Sequence, residues 1–326
     1  LTLGFGYAWY NTDRQPKQEN ISGKIQFDDG IGRHIVLDRP LQSVVVANAY
    51  NTDMTELIVA LGCLDRIVGV DQNILWNNEA FKNKFSKDQL ICTRESIVIN
   101  YEKVVELKPD ALIISSKGSW YDAQEKLSNF GIKVIVLDTH NLENFEKNCQ
   151  ILGKAFAKEQ RAAEIVDYFG SQLNYVKKQL ANIENRKRVY FECGGPGATT
   201  RSETHTTGEA VILRNPDVIV KMSDRRWKYS YKPPTAEEQE MIRKEVISRP
   251  GWEEIKAVKN NDIFQLSYFS HCGASKIIGV LYVAKYLYPQ YLPELHPEAV
   301  FKKWLTEYLQ LDYVPGHTYP SMSLEY

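Results

Sequence analysis

The sequence lacks the patterns that mark membrane-spanning, disulfide-linked and nucleic-acid-binding proteins. No run of about 18 apolar residues occurs, so no transmembrane helix is predicted. The five cysteines are odd in number, widely spaced and without a C-x-x-C pair, which argues against a disulfide framework and against a structural zinc or iron–sulfur site. Lysines and arginines number 40 against 41 aspartates and glutamates, with no long basic run, so a nucleic-acid partner is not expected.

Motifs of common enzyme classes are also missing. The sequence has no G-x-S-x-G, no P-loop and no G-x-G-x-x-G after its first predicted strand. The glycine-rich segment 194–197 follows a predicted strand, but no helix that could hold a phosphate is evident after it. We therefore expect a protein that is not an enzyme and needs no cofactor.

Short β-branched runs alternate with amphipathic stretches, which is typical of parallel α/β sheets. Because the runs are apolar on both faces, helices should cover both sides of each sheet. The predicted strands are Gln42–Ala47, Arg66–Val70, Ala111–Ser115, Lys133–Leu137, Arg188–Glu192, Val218–Lys221 and Asp262–Leu266.

Between the two sets of strands, residues 142–186 have no proline, only two glycines and apolar side chains at three- and four-residue intervals. This pattern predicts one long helix. The fold class is therefore α/β, with two lobes that have central parallel sheets and are joined by one long linker helix. We expect a first lobe at 25–141, the linker at 142–186 and a second lobe at 187–326. Residues 1–24 are interpreted either as the remnant of a signal sequence or as an ordinary apolar segment.

An internal repeat supports two lobes of related topology. Glu102 precedes the pair Pro109 and Asp110 by seven residues, and Glu209 precedes Pro216 by the same number. In both copies proline disfavours the helical conformation of the residue before it, so the helix ends there and a buried strand follows.

Several motifs, in this order and spacing, resemble one family. They are DDGIGR at 28–33, ALG at 60–62 followed by RIVGVD at 66–71, YEKVVELKP at 101–109, RPGWEEIKAV at 249–258 and AKYLYP at 284–289. The sequence is similar to the class III periplasmic, or extracytoplasmic, substrate-binding proteins of ABC importers, the iron–siderophore and cobalamin type. The resemblance implies a ligand in the cleft between two lobes, a location in the periplasm or at the cell surface, with or without a membrane anchor, and delivery to an ABC permease dimer by a monomer. It also implies that Glu102 and Glu209 dock to that permease. The segment 193–208 is shorter than the corresponding segment of the family, so the resemblance does not predict the wall of the cleft that this segment would form.

Ligands of parallel sheets gather at the carboxyl ends of the strands, so the loops there should line the cleft. Aromatic rings and cations are abundant in these loops and suit a partly aromatic, anionic ligand. Glu192 ends a strand at this edge, and an alternative is that a backbone amide satisfies it. The predicted ligand-binding residues are Tyr50, Trp76, Arg94, Lys117, Trp120, Arg201, Arg225, Arg226, Trp227, Tyr268 and His271.

The ligand itself stays open at this point. An iron–siderophore or other metal chelate is expected, and a corrinoid, haem or a molybdate-type oxyanion are alternatives on the same fold. Whether side chains contact the metal directly is also left open. A chelatase or nitrogenase-like metal enzyme and an adhesion or signalling module are the alternatives from other classes. The five cysteines do not recur at strand ends as a bridging set, which argues against the metal enzyme.

Overall fold

The first lobe is built on a four-stranded parallel sheet. The computed structural model describes residues 23–47, 53–71, 81, 84–92, 98–139, 141–193, 207–223, 231–271 and 273–322. An antiparallel hairpin of β1 (Ile25–Asp28) and β2 (His34–Leu37) precedes the sheet. The sheet strands are β3 (Val44–Ala47), β4 (Ile67–Val70), β5 (Ala111–Ser115) and β6 (Lys133–Leu137), in the order β4-β3-β5-β6. The α-helices in the described part of this lobe are α1 (Asp53–Ala60), α2 (Tyr101–Glu106) and α3 (Trp120–Leu127).

Both faces of this sheet are covered, as the apolar runs predict. Val44 and Ile113 belong to one buried hydrophobic cluster, whereas Val45 and Leu112, their neighbours along the strands, belong to another. Successive side chains of a strand point to opposite faces, so two clusters require two covering layers. The β-branched composition of β3 and β5 follows from this double burial.

The linker between the lobes consists of two helices, α4 (Phe145–Phe156) and α5 (Glu159–Leu180). The sequence predicts one uninterrupted helix from 142 to 186, but the chain turns at Ala157, whose φ is 53°. Gly153 makes the turn compact, because a Cβ on it would lie 2.7 Å from Cβ of Ala162. The one long helix is therefore α5, which is about 33 Å long at 1.5 Å per residue.

The second lobe has a sheet of four strands in the order β10-β9-β8-β7. Three of them are parallel, and the short β10 at the edge runs antiparallel to β9. Its elements are β7 (Val189–Cys193), α6 (Gly208–Arg214), β8 (Val218–Met222), α7 (Ala236–Ile247), α8 (Lys256–Lys259), β9 (Ile263–Leu266), α9 (Ser275–Leu287), α10 (Pro297–Lys303) and β10 (Thr318–Tyr319). No helix among the described residues is both long and apolar enough to cross a membrane.

One continuous hydrophobic cluster joins the lobes. It contains Ile113 of the first sheet, Phe156 and Phe169 of the linker helices, and Val220 and Phe264 of the second sheet. Close-packed interiors resist continuous deformation and change, if at all, between discrete arrangements. The shared core therefore favours a cleft whose width changes little.

The internal repeat is visible in the hydrogen bonds as well as in the sequence. Asp110 donates its backbone N–H to the carbonyl of Ser43 at 2.8 Å, and its carboxylate accepts the N–H of Ser43 at 3.0 Å. Asp217 donates to the carbonyl of Arg188 at 2.8 Å, and its carboxylate accepts the N–H of Arg188 at 2.7 Å. Each Pro-Asp pair thus fastens the start of its own strand to the start of the neighbouring strand.

Candidate functional site

The two predicted docking glutamates occupy the same place in the two lobes. Glu102 is the second residue of α2, after the N-cap Asn100, and Glu209 is the second residue of α6, after the N-cap Thr207. Each N-cap side chain accepts a backbone N–H of the first turn, at 3.0 Å and 3.3 Å respectively. Because α2 leads into β5 and α6 into β8, both helices begin at the edge where the parallel strands end. Both glutamates are exposed at this edge, which is the edge where the sequence predicts the cleft.

Hydrogen bonding at the helix start favours the charged form of Glu209. Its own backbone amide and then the Thr207 hydroxyl lower the pKa of this carboxyl below its usual range. The orphan N–H groups and the dipole of a helix N-terminus act in the same direction. Glu209 is therefore an anion at neutral pH, and its solvent exposure lets it meet a cationic partner.

A buried ionic cluster lies near the carboxyl ends of β7 and β8. Glu192 and Lys221 face each other in register, and the ammonium of Lys221 donates to Oε1 of Glu192. Arg249 adds a bidentate pair, from Nη1 to Oε2 at 2.5 Å and from Nη2 to Oε1 at 2.8 Å. Both Glu192 and Lys221 are buried, whereas Arg249 is partly exposed. Among the described residues, side-chain cations therefore satisfy Glu192.

The pKa values of the cluster follow from burial and from these contacts. Burial alone would raise the pKa of Glu192, but the hydrogen bonds from Arg249 and the charge and hydrogen bond of Lys221 together lower it below its usual range. Burial, with the nearby charge of Glu192, raises the pKa of Tyr190 to about 12. The guanidinium of Arg249 also lies 4.5 Å from the ring centre of Trp252. Such a pair of contacts holds the guanidinium in a fixed orientation.

The first lobe contributes polar groups at the same edge of its sheet. Lys117, which follows β5, is exposed, and Trp120 at the start of α3 is half-buried. The guanidinium of Arg33 lies 5.0 Å from the ring centre of Trp120. Next to them the hydroxyl of Ser116 donates to Asp138 at 3.1 Å. The structure thus places Lys117 and Trp120 at the predicted edge.

The DDGIGR motif fixes the hairpin β1–β2 against this edge. The buried carboxylate of Asp29 accepts Nε and Nη2 of Arg33 at 3.0 and 2.8 Å and the N–H of Val136 at 3.1 Å. Gly30 passes so close that a Cβ on it would lie 2.6 Å from the backbone nitrogen of Asp138. The motif is therefore structural, and it positions Arg33 on Trp120.

The turn after β9 carries the remaining described candidates. Tyr268 begins a short helical turn, Tyr268–His271, and only 6% of it is exposed. His271 ends the same turn, and its side chain lies outside the described part. Tyr268 therefore contacts protein over most of its surface, and its ligand contact remains a prediction. The other predicted ligand residues lie outside the described residues, namely Tyr50, Trp76, Arg94, Arg201, Arg225, Arg226 and Trp227. Most of segment 193–208 lies outside as well.

A cavity of about 210 Å³ lies within the second lobe. It is lined by residues of α9, α10 and the C-terminal segment, among them Tyr282, Glu298 and the buried His317. Nδ1 of His317 lies 2.5 Å from the hydroxyl of Ser267, and burial lowers the pKa of this imidazole to about 3. His317 is therefore uncharged at neutral pH.

Two α/β lobes with parallel central strands, two linker helices between them and a shared core define the architecture of a two-lobe binding protein. The sequence model of the family described as periplasmic binding protein matches residues 48–212, and the chain belongs to this family. It is an extracytoplasmic substrate-binding protein of the ABC-importer class, with the TroA-like fold. The family resemblance and the fold class predicted from the sequence are both confirmed.

Two relatives show how far this similarity extends. The chain is 25% identical to the uncharacterized ABC transporter substrate-binding lipoprotein YvrC of Bacillus subtilis, over 90% of this chain and 95% of that protein. It is 23% identical to the high-affinity heme uptake system protein IsdE of Staphylococcus aureus, over 51% of this chain and 63% of that protein.

Two solved structures share the fold. The TroA-like periplasmic binding protein FepB from Veillonella parvula superimposes with a TM-score of 0.75 at 24% identity, covering 92% of this chain and all of that one. MolA of Haemophilus influenzae, bound to molybdate, gives a TM-score of 0.65 at 15% identity, with 89% of this chain and 99% of that one covered. At these identities the structures establish the fold and leave the ligand of this chain undetermined.

Proposed function

We propose that this protein captures an iron–siderophore or another anionic metal chelate between its lobes and delivers it to an ABC permease dimer through Glu102 and Glu209. The observation that carries the proposal is the equivalent placement of these two exposed carboxylates, each the second residue of its helix at the cleft edge of its lobe. The protein acts by binding and release as a monomer, without a chemical step.

The symmetry of the partner explains why the acid is repeated. A permease homodimer presents the same surface twice, related by a two-fold axis. A single chain can match both copies only if its two lobes carry the same group at corresponding points. Charge pairs across such an interface set the register and speed up association.

The charge of the relatives' ligands supports the ligand class. IsdE is named for heme uptake, and MolA was solved with molybdate, and both of these ligands carry negative charge. In this chain Lys117 supplies an exposed cation directly after β5. Haem, a molybdate-type oxyanion and a corrinoid remain the alternatives, and a direct comparison of binding decides among them.

Charge reversal tests the docking role. Association of the purified protein with its cognate permease dimer in lipid nanodiscs should weaken by about tenfold or more in Glu102→Lys/Glu209→Lys, because attraction becomes like-charge repulsion. The matched control is Glu159→Lys. Glu159 is also an exposed acid in the first turn of a helix, but α5 begins at the opposite edge of the first sheet. The control should associate normally, and normal association of a folded double variant would refute the docking role.

A ligand panel tests the substrate class separately. Native mass spectrometry with a ferric tris-catecholate, haemin, cyanocobalamin and molybdate should show the ferric chelate bound most tightly and recovered unchanged. Preferential binding of haemin, cyanocobalamin or molybdate, or conversion of any ligand, would contradict the proposal.

A further inference from the structure

A buried carboxylate stands at the junction of the two lobes. Glu56 lies in α1 of the first lobe and is completely buried. A carboxylate removed from water loses its hydration, so such residues persist only where the surrounding structure compensates. Glu56 is not part of the ligand or docking groups described above.

The second lobe leaves space for this carboxylate by means of a glycine. A Cβ built on Gly273 would lie 1.9 Å from Oε2 and 2.5 Å from Cδ of Glu56. The φ of Gly273 is +52°, which side chains other than glycine rarely adopt. Backbone conformation and lack of space therefore both require glycine at this position.

The contact joins elements of different lobes. Leu57, Thr139 and Asn148 of the first lobe and linker line the same narrow cavity of about 20 Å³ as Gly273 and Ala274 of the second lobe. Gly273 lies between the turn Tyr268–His271 and the first residue of α9. The carboxylate of Glu56 therefore packs against the chain two residues after the turn at the carboxyl end of β9.

We infer that Glu56 is a positioning residue, which holds the turn after β9 in register with the first lobe and so fixes the second wall of the cleft. The assignment of this turn as a cleft wall rests on the proposed function. The physical contact does not, since it follows from the fit of Glu56 against Gly273.

Hydrogen exchange of the full chain tests the inference without any ligand. In Gly273→Ala the amides of 54–60 and 267–278 should exchange about tenfold faster or more, because the new methyl group displaces the carboxylate. The matched control is Gly131→Ala, whose glycine has a φ of +71° but no atom within 4 Å of the added Cβ. That control incurs the same backbone strain and should leave both segments protected.

A double-mutant cycle separates the contact from general damage. Glu56→Asp retracts the carboxylate by one methylene, so Glu56→Asp/Gly273→Ala should regain part of the protection lost in Gly273→Ala. Strictly additive effects, or equal exchange in Gly273→Ala and Gly131→Ala, would overturn the inference. Failure of the ligand panel or of permease docking would instead count against the proposed function and leave this result intact.

Discussion

The buried pair of Glu192 and Lys221 allows a quantitative prediction. Glu192→Gln keeps the shape of the side chain but removes the carboxylate charge that faces the ammonium of Lys221, which is only 3% exposed. Removing one partner of a buried pair typically costs about 3–5 kcal/mol, because the remaining charge stays desolvated. That is a large part of the roughly 5–15 kcal/mol that stabilises a folded domain. Urea unfolding followed by tryptophan fluorescence should therefore show a large drop in the midpoint.

Two further variants test whether burial, rather than the distance between the charged atoms, determines the loss of stability. The exposed pair of Lys259 and Glu254 has a nitrogen–oxygen distance of 2.6 Å, but its side chains are 53% and 69% exposed. Glu254→Gln should therefore cost at most about 0.5 kcal/mol, since solvent screens the pair. Glu192→Gln/Lys221→Met removes both buried charges and should be more stable than Glu192→Gln alone. A loss below about 1 kcal/mol in Glu192→Gln, or a double variant less stable than the single one, would refute the reasoning.

The remaining predictions concern pH dependence and backbone strain. The folded-state pKa of His317 is depressed to about 3, so its stabilising contribution is complete above the unfolded value of about 6.5 and is lost as pH falls below that value. Between pH 7 and 5 the wild type should lose about 2 kcal/mol more stability than His317→Gln in urea titrations, and parallel losses would contradict this. Lys108 has a φ of 48°, so Lys108→Gly should stabilise by about 1 kcal/mol. Asn215→Gly, at a φ of 43°, should not stabilise, because asparagine tolerates this region and its side chain accepts the N–H of Lys256 at 2.7 Å. Gly30→Ala should destabilise by about 1–3 kcal/mol in thermal unfolding, because its Cβ meets backbone, whereas Gly23→Ala meets no atom within 4 Å and should be neutral.

Periodicity and burial allowed most of the fold to be predicted from the sequence. Runs such as Ala111–Ser115 and Lys133–Leu137 are apolar on both faces, and only a doubly covered parallel strand buries every side chain of such a run. The break between α4 and α5 could not be predicted. It falls at Ala157 in a left-handed conformation, where the usual glycine signal is absent.

Only part of the candidate site could be predicted from the sequence, because some of its contacts join residues that are far apart in the chain. Glu102 and Glu209, the proposed docking acids, are local features of a repeat, so spacing alone predicts their equivalence. The ionic cluster depends on strand register and on a distant loop. The pairing of Glu192 with Lys221 follows from two aligned parallel strands, but Arg249 reaches them from 57 residues away. No local pattern indicates such a contact.

The most direct test of the central claim is a cryo-electron microscopy structure of this protein bound to its cognate permease dimer. We predict that each lobe contacts one permease subunit, with Glu102 at the first turn of α2 and Glu209 at the first turn of α6 each facing a basic side chain. A complex in which the permease contacts the opposite edges of the sheets, with both glutamates in solvent, would contradict the account.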